Sequence, residues 1–556
     1  MAGLAFARYL VHPRDCFTLR LGGLEQMAEA SIGHVVGTDG SRAMCLIDRE
    51  RLTSARTAHA GETDNTSIGG FVRIDVEQHT IFGVLVELGS DGADHGRTLA
   101  EIEYIGEGIH DADGNLTGFR RGVTAFPQPG DRLRFAVESE LAVIFAPPAV
   151  PHIQIGTVYP TKGVRAPVLF DMLMGRHFAV VGSSGAGKST TVTLMLDRIV
   201  AQANHGHVVI FDPHGEYAHA FGDKAQVWDV SNLKLPYWAM NLDEHCDAFI
   251  ATSGEDRTVD ANIMAKVLLR ARQRNIHAEM PGRITADTPV SYQLKDLTDA
   301  LEEEAGRLEK LADAHRYTHL RLTIEQFFHD RRFNFIFNPD HAGASLQQLL
   351  GDLLRIPNAG KPISIIDLAG VPTEIVNVVV STLARLILDY AIWAPRETRA
   401  PILLVCEEAH RYLPRVKSPA TRSVEKQLER IAREGRKYGV CLGMVTQRPS
   451  ELSETALSQC GTIMSLRLNN QSDQRDLVAA LTEGARGIAG TVGSLRNREC
   501  IISGEGVPIP MRVMIDHLEA GKRPASDDPV FSASWSHDNA GEALLEETVR
   551  RWRTER

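Results

Sequence analysis

The sequence predicts an α/β protein in which buried parallel strands alternate with helices. A small β domain precedes this core and a helical insertion interrupts it. Three observations predict this organisation. Residues 1–150 contain short β-branched runs separated by turn residues. Residues 167–230 and the region after about 355 alternate apolar strands with helices. Residues between about 243 and 354 are richly charged and carry apolar residues at helical spacing.

The composition is that of an ordinary soluble globular protein with several domains. The chain has 556 residues, of which 43% are hydrophobic and 24% charged, and no apolar run approaches the roughly 18 residues that span a bilayer. The N-terminal stretch is interrupted by Arg8 and lacks the pattern of a secretion signal. We therefore expect a cytoplasmic protein with no membrane partner. The net charge of −11 argues against a basic surface, but an acidic shell can enclose a local basic channel for nucleic acid.

The seven cysteines are scattered, and none forms a CxxC pair. An odd number at irregular spacing does not suit a disulfide framework or a zinc site. We expect buried, reduced thiols. The cysteines are Cys16, Cys45, Cys246, Cys406, Cys441, Cys460 and Cys500.

Residues 1–150 are predicted to form a small β-sandwich or β-barrel. Runs such as IGHVVGT, GGFVRIDV and TIFGVLVEL are short and β-branched, and helical periodicity is weak there. The pattern changes near Pro147, Pro148 and Pro151, which mark the start of the next domain.

The core is predicted in two parts, 151–242 and 355–515, on either side of the helical insertion 243–354. In the first part the strand FAVV is followed by a Gly-rich loop, a helix and the strand VVIFD. In the second part ISIID, ILLVC, VCLGMVT and GTIMSLRL are strands, and VEKQLERIAREGRKYG is a helix. The polar tail 516–556 ends in EALLEETVRRWRTER, which has the pattern of a short amphipathic helix.

The strongest motif lies between FAVV and the next helix, and it matches G-x-x-x-x-G-K-[ST] at every defined position. Glycines let the backbone curl so that N–H groups point at phosphate oxygens, and the helix presents its positive N-terminal end. Lys188 is placed to reach the β- and γ-phosphates of ATP, and the Ser189 hydroxyl to bind Mg²⁺. The alternative is a Gly/Ser turn that matches by accident. The loop comprises Gly182, Ser183, Ser184, Gly185, Ala186, Gly187, Lys188, Ser189 and Thr190.

Two adjacent acids, Glu407 and Glu408, end the strand ILLVC. Burying two acids there costs free energy unless a metal ion or water binds their carboxylates. The ligand crevice of an open α/β sheet lies at this strand end. We predict that Glu407 belongs to the magnesium shell and that Glu408 is the general base that activates water. The alternative is a solvated helix N-terminal region favoured by the helix dipole.

Polar residues end three further strands. Asp212 and Glu216 lie in DPHGEY, where Asp212 is predicted to face the metal and Glu216 to orient water; a turn built by Asp-Pro and Gly explains them equally well. Asp367 ends ISIID with the same two interpretations. Gln447 closes VCLGMVT and is predicted to sense the γ-phosphate, or else to serve only as a cap.

Together these motifs resemble the HerA/FtsK group of ring-forming P-loop ATPases, and HerA most closely. The resemblance spans roughly residues 150–515 and rests on RHFAVVGSSGAGKST, VVIFDPHGEY, LLVCEEAHRYLP, REGRKYGV and TQRPSEL, in that order. It implies a RecA-like P-loop motor domain, preceded by an N-terminal β-barrel. It also implies a homo-hexameric, ATP-driven translocase on double-stranded DNA.

The resemblance further implies that the nucleotide lies between adjacent subunits. An arginine of one subunit would then complete the neighbour's site. The candidates are Arg433, Arg436 and Arg176. For Arg433 and Arg436 the alternative is a solvated helix face with Glu429 and Glu434 as partners.

Members of the HerA family commonly work with a partner, which the barrel is expected to dock. The partner is a NurA nuclease in DNA end resection, or another nuclease or a sirtuin-type NAD-consuming subunit in bacterial antiphage defence. The segment HRYLPRVKSPATR, directly after the acid pair, is a candidate for contact with DNA phosphates, or it is an ordinary polar surface loop. Its basic residues are Arg411, Arg415, Lys417 and Arg422.

Two functions of different classes fit these features. The first is a DNA-translocating ATPase motor. The second is an ATP-dependent ring scaffold that assembles or activates a partner effector without unwinding DNA. A P-loop kinase or small-molecule transferase is less well supported, because REGRKYG and TQRPSEL suit an inter-subunit motor better.

Overall fold

The computed structural model describes residues 31–58, 65–90, 97–275, 283–307, 311–524, 531–536 and 541–555. The expectations for the N-terminal stretch, which includes Arg8 and Cys16, lie outside these residues. The other six cysteines lie within them as thiols, and all but the half-buried Cys460 are buried.

The strands are numbered in chain order from the N-terminus. They are β1 (Gly33–Thr38), β2 (Arg42–Asp48), β3 (Phe71–Val76), β4 (His79–Ser90), β5 (Arg97–His110), β6 (Leu116–Arg121), β7 (Arg132–Phe135), β8 (His152–Val158), β9 (Arg165–Leu169), β10 (Phe178–Val181), β11 (His207–Asp212), β12 (Ala225–Trp228), β13 (Ile363–Asp367), β14 (Ile402–Cys406), β15 (Val440–Thr446), β16 (Thr462–Ser465), β17 (Glu499–Gly504) and β18 (Met511–Ile515).

The α-helices follow the same order. They are α1 (Arg49–Ala58), α2 (Glu138–Ile144), α3 (Phe170–Gly175), α4 (Lys188–Gln202), α5 (Leu242–Phe249), α6 (Gly254–Arg274), α7 (Leu294–Ala305), α8 (Leu311–His329), α9 (Leu346–Leu354), α10 (Val376–Trp393), α11 (Arg422–Glu434), α12 (Glu454–Ser458), α13 (Gln471–Ala480), α14 (Arg486–Ala489), α15 (Phe531–Trp535) and α16 (Glu542–Glu555).

The chain folds into two compact units. The first takes the described parts of 1–173 together with 181–187 and 461–517. The second takes 174–180, 188–460 and the described parts of 518–556.

Six strands of the first unit close into a barrel. β1 pairs with β2 and β7, β7 with β3, β3 with β4, β4 with β5, and β5 returns to β2, all antiparallel. Alternate side chains fill the interior, and Val35, Cys45, Ile74 and Ile102 are fully buried there. Closure removes the unpaired edges that an open sheet would leave. The predicted β domain is therefore a barrel rather than a sandwich.

The first unit also contains an antiparallel sheet in the order β16-β17-β18-β8-β9. Arg512 on β18 stabilises it from within. Its guanidinium stacks on the Tyr159 ring at 4.1 Å and donates to Glu499 on β17 at 2.6 Å.

The second unit is built on parallel strands in the order β12-β13-β11-β14-β15-β10. The register pairs Asp212 with Asp367, Phe211 with Cys406, and Cys406 with Met444. Parallel strands in register end together, so the carboxyl ends of β11, β13, β14 and β15 share one edge. That edge is where an open α/β sheet binds its ligand, as the sequence predicts.

Helix α10 passes a length and composition test for a membrane span, with a mean hydropathy of 1.4. However, 72% of it is buried, and Val379, Leu383 and Ile387 are fully buried. A helix that is apolar all round and packed inside a domain is a core helix.

A buried ion pair joins α5 to α10. Glu244, fully buried on α5, accepts two hydrogen bonds from Arg385 at 3.0 Å and one from Ser381 at 3.2 Å. Glu244 and Asn241 also form the capping box that starts α5. Removing one partner of a buried pair leaves an uncompensated charge.

We therefore expect Arg385→Met to destabilise this unit by about 3–5 kcal/mol. The matched control is Lys426→Met, because Lys426 forms an exposed pair with Asp243 at 2.6 Å. That control should change stability by less than about 1 kcal/mol. Denaturant unfolding followed by tryptophan fluorescence measures both. Equal midpoints for the two variants would show that Arg385 does not stabilise the unit.

Candidate nucleotide-binding site

The predicted phosphate loop follows β10 and leads directly into α4. Gly185 and Gly187 have φ angles of 72° and 100°, in the left-handed region that favours glycine. The Ser183 N–H donates to the carbonyl of Arg467 at 2.8 Å, and the Ser183 hydroxyl accepts the N–H of Asn469 at 2.9 Å. The segment after β16 thus holds the loop in its curled shape. Helix α4 begins at Lys188, as the motif predicts.

The first two residues of α4 face acidic partners in the second unit. Lys188 is buried, with 8% of its surface exposed, and its charge lowers the pKa of Glu407 against the effect of burial. The Ser189 hydroxyl donates to Glu216 Oε2 at 2.7 Å. The ammonium and the hydroxyl that the motif assigns to phosphate and metal therefore lie beside carboxylates.

Glu407 is the more deeply buried of the two adjacent acids. It follows Cys406, the last residue of β14, and its N–H donates to the carbonyl of Phe211 at 3.1 Å. Burial raises the pKa of Glu407 to about 8, although the Tyr217 hydroxyl donates to its Oε2 at 2.6 Å. A buried carboxylate such as that of Glu407 is stabilised in its charged form by a nearby cation.

Glu408 has a strained backbone and a half-satisfied carboxylate. Its φ of 51° and ψ of 45° lie in the left-handed region, which costs a non-glycine residue of order 1–2 kcal/mol. Gln447 donates to Glu408 Oε1 at 3.0 Å. Oε2 accepts no hydrogen bond from any residue that the structure describes, although His410 Nδ1 lies 3.2 Å from it. A carboxylate oxygen in this state at a ligand crevice is suited to accept a proton.

Asp212 and Asp367 organise the loops that follow their strands. Asp212 is fully buried, and it accepts backbone N–H groups of Tyr217 at 2.8 Å and His214 at 3.3 Å. Burial raises the pKa of Asp212. Asp367 accepts the N–H of Ala369 at 2.9 Å. These contacts are the ones that the turn interpretation predicts, but a carboxylate has about four acceptor sites.

The three candidate arginines lie near one another and apart from the acids. Arg433 pairs with Glu429 at 2.9 Å within α11, as the helix-face alternative predicts. Arg436 forms no ion pair with the residues that the structure describes. Burial, and to a smaller extent the charge of Arg436, lowers the pKa of His177 to about 4, and His177 is the neighbour of Arg176.

Strand direction places these arginines at the far edge of the sheet. Arg176 and Arg436 shortly precede β10 and β15, whereas the phosphate loop and Gln447 follow those strands. Strands of four to seven residues span roughly 13–23 Å at about 3.3 Å per residue. Arg436 therefore lies about one strand length from Glu407 and Glu408, which follow the parallel strand β14.

Two arginines of the basic loop have no acidic partner within the described ranges. Arg411 and Arg422 are both exposed and form no ion pair there.

The other two basic residues of the loop are partly neutralised. Arg415 pairs with Glu454, and Lys417 pairs with Glu425 at 2.5 Å. The loop is consequently less positive than its sequence indicates.

Sequence reasoning missed three side chains of the site: Tyr217, His410 and His214. All three lie inside motifs that it had identified, DPHGEY and EEAH, and His214 Nε2 lies 4.0 Å from Glu408 Oε1. The available signal was their spacing from the acids. Their contacts depend on the turn that each loop takes after its strand.

The donor set fits a magnesium nucleotide. Ser189, Glu407 and Asp212 offer hard oxygen donors, which Mg²⁺ prefers, and Mg²⁺ is usually held by one or two carboxylates plus substrate phosphates and water. No cluster of three or more His, Cys, Asp or Glu side chains suited to a metal ion occurs in the part of the chain that the structure describes.

Comparison with known proteins agrees with this geometry. The family described as helicase HerA, central domain, matches residues 153–387. The DNA double-strand break repair helicase HerA of Sulfolobus acidocaldarius is 28% identical over 433 residues, covering 77% of this chain and 80% of that protein. The protein of the same name from Saccharolobus solfataricus is 28% identical over 427 residues, with coverage of 75% and 78%.

Among solved structures, VirB4 of Thermoanaerobacter pseudethanolicus has a TM-score of 0.49 and 14% identity, covering 68% of this chain and 99% of that one. The family match and the relatives confirm the resemblance carried by the motifs. We conclude that this chain is similar to the HerA family over most of its length and is a P-loop ATPase.

Proposed function

We propose that this chain is the ATP-hydrolysing motor of a homo-hexameric ring that translocates on double-stranded DNA. The observation that carries the proposal is the state of Glu408 beside the buried Glu407. One carboxylate oxygen of Glu408 is held by Gln447, and the other accepts no hydrogen bond from the described residues. The similar HerA proteins, which are DNA double-strand break repair helicases by name, support the DNA substrate.

Each residue of the site has a proposed task. The backbone N–H groups of 182–187 and the Lys188 ammonium bind the phosphates of ATP. Ser189 and Glu407 would hold Mg²⁺, and Asp212 would do so through its remaining acceptor sites. When bound, magnesium would neutralise negative charge on the β- and γ-phosphates. Glu408 Oε2 takes a proton from the water that attacks the γ-phosphate.

Glu216 and Gln447 are proposed to respond to the nucleotide. Glu216 accepts from Ser189, so a metal that binds Ser189 would release Glu216 to orient water. Gln447 touches the proposed base and lies at the end of β15, where it can sense the γ-phosphate.

The position of the arginines supports the proposed ring arrangement. Arg436 lies about a strand length from the acid pair, which favours an arginine that acts on the neighbour's nucleotide. Such an arginine stabilises the charge of the transition state. Arg436 is favoured among the three, because Arg433 already pairs with Glu429.

We propose that the barrel within 1–150 docks an effector, which is a NurA-like nuclease, another nuclease or a sirtuin-type subunit. The work of the complex would be DNA end processing or antiphage defence, in the cytoplasm. The motor comprises 151–242 and 355–515, with the helical insertion 243–354 between them and the tail 516–556 behind.

One observation favours the scaffold as a second candidate. Two of the four basic residues in the loop 411–422 are paired with acids, which weakens attraction to DNA phosphates. A scaffold would hydrolyse ATP in response to its effector rather than to DNA.

Steady-state ATP hydrolysis with and without duplex DNA separates the two candidates. For a motor, duplex DNA of any sequence raises kcat, and the effect weakens with salt. Arg411→Ala should weaken DNA binding and lower the slope of log K against log salt by about 1.

The matched control is Arg415→Ala, which removes an arginine already paired with Glu454 and should change the slope less. ATP turnover that ignores DNA but rises with a barrel-bound effector would establish the scaffold instead.

A further inference from the structure

The backbone turn at Glu408 brings a histidine back over the carboxylate. Glu408 adopts the left-handed conformation, and residues 409–411 then form a single 3₁₀ turn. The turn brings His410 back to the carboxylate of Glu408, and the His410 side chain is 13% exposed. A strained backbone at a functional site that positions a specific side chain is an observation from which a role can be inferred.

His410 links the ends of two neighbouring strands. Its Nδ1 lies 3.0 Å from the hydroxyl of Thr446, the last residue of β15, and 3.2 Å from Glu408 Oε2, just beyond β14. The Thr446 hydroxyl is itself fixed, because it accepts the N–H of Arg448 at 3.1 Å. The imidazole Nδ1 thus lies between the fixed hydroxyl of Thr446 and the carboxylate of Glu408, close to both.

Gln447 and His410 together define where the carboxylate of Glu408 points. Gln447 Nε2 holds Oε1 at 3.0 Å, and His410 Nδ1 faces Oε2. A general base must present its free oxygen within hydrogen-bond reach of the proton that it takes. Holding the base in one orientation preorganises it before the nucleotide arrives.

We propose that His410 is a positioning residue that aims Glu408 Oε2 at the attacking water. This inference rests on the proposed function, because it requires Glu408 to be the base. His410 touches neither nucleotide nor water; it acts through Glu408.

Three replacements of His410 test whether the contact between its Nδ1 and Glu408 Oε2 positions the carboxylate. The side-chain amide nitrogen of asparagine is bonded to Cγ, as Nδ1 of histidine is, whereas that of glutamine lies one bond farther out. His410→Asn therefore keeps a donor near Nδ1, and His410→Gln is the matched control that keeps the amide but moves it. His410→Ala removes the group.

Single-turnover and steady-state ATP hydrolysis measure the effect, with nucleotide affinity measured by a fluorescent ATP analogue. We expect His410→Ala and His410→Gln to lower kcat about 10-fold to 100-fold, the scale seen when a residue that orients a functional side chain is lost. KM and nucleotide affinity should stay within about twofold, and His410→Asn should recover most of kcat. Equal rates for the Asn and Gln variants, or an unchanged kcat in the Ala variant, would overturn the proposal.

A double variant separates positioning from general damage to the structure. In the Glu408→Gln background there is no base left to aim, so adding His410→Ala should slow hydrolysis no further. Additive losses would mean that His410 acts independently of Glu408. If Glu408→Gln alone hydrolyses ATP at the wild-type rate, Glu408 is not the base and the assignment on which this inference rests fails; if it is slow while His410→Ala is fast, only the role of His410 fails.

Discussion

Lys188→Ala is expected to lower ATP hydrolysis by at least about 100-fold while the protein stays folded. Lys188 supplies the one ammonium that the phosphate-loop motif directs at the β- and γ-phosphates, and it is buried at the start of α4. Its loss also removes the charge that lowers the pKa of Glu407. Glu407 then protonates more readily, and the neutral carboxyl group costs less free energy to bury.

Phosphate release and thermal unfolding, measured on the same sample, test this expectation. Lys224→Ala is the matched control, because Lys224 is an exposed lysine paired with Asp197 of α4, and Asp197 keeps Lys522 as a second partner. The control should retain turnover. Wild-type turnover in Lys188→Ala would place ATP elsewhere in the molecule.

Glu408→Gln is expected to bind ATP and hydrolyse it about 10²-fold to 10⁴-fold more slowly, the scale for loss of a general base. Glutamine keeps the size of the side chain and an oxygen for the contact with Gln447, but it cannot take a proton from water. ATP should therefore accumulate on the protein.

Radiolabelled ATP retained after rapid gel filtration, compared with phosphate released, measures this trapping. Glu451→Gln serves as the control, because Glu451 is an exposed acid paired with Arg448. Rapid turnover by the Glu408→Gln variant would remove Glu408 as the base and point to Glu216 instead.

The motifs alone predict much of the site because their chemistry depends on residue type at short spacing. A strand, a Gly-rich curl and a helix that begins with Lys188 are adjacent in the chain, so sequence distance and spatial distance agree. The same holds for Glu407 and Glu408 at the end of β14. Buried parallel strands can also be recognised in the sequence, because both of their faces are apolar and their residues form continuous hydrophobic runs.

Contacts between segments far apart in the chain could not be predicted. The pairing of Ser189 with Glu216 and of Glu407 with Tyr217 depends on the register of β11, β13 and β14. The pairing of Lys417 with Glu425 depends on how the basic loop folds onto α11. None of these follows from composition or periodicity.

The motifs and the residue pattern were enough to predict a phosphate loop, paired acids at a strand end, a β domain before them and helices between them. The three-dimensional arrangement was needed to show that the arginines lie at the opposite edge from the acids and that His410 turns back onto Glu408. The physical reason is that residue type and local spacing specify each element, whereas strand direction, register and a single left-handed residue specify which side chains meet.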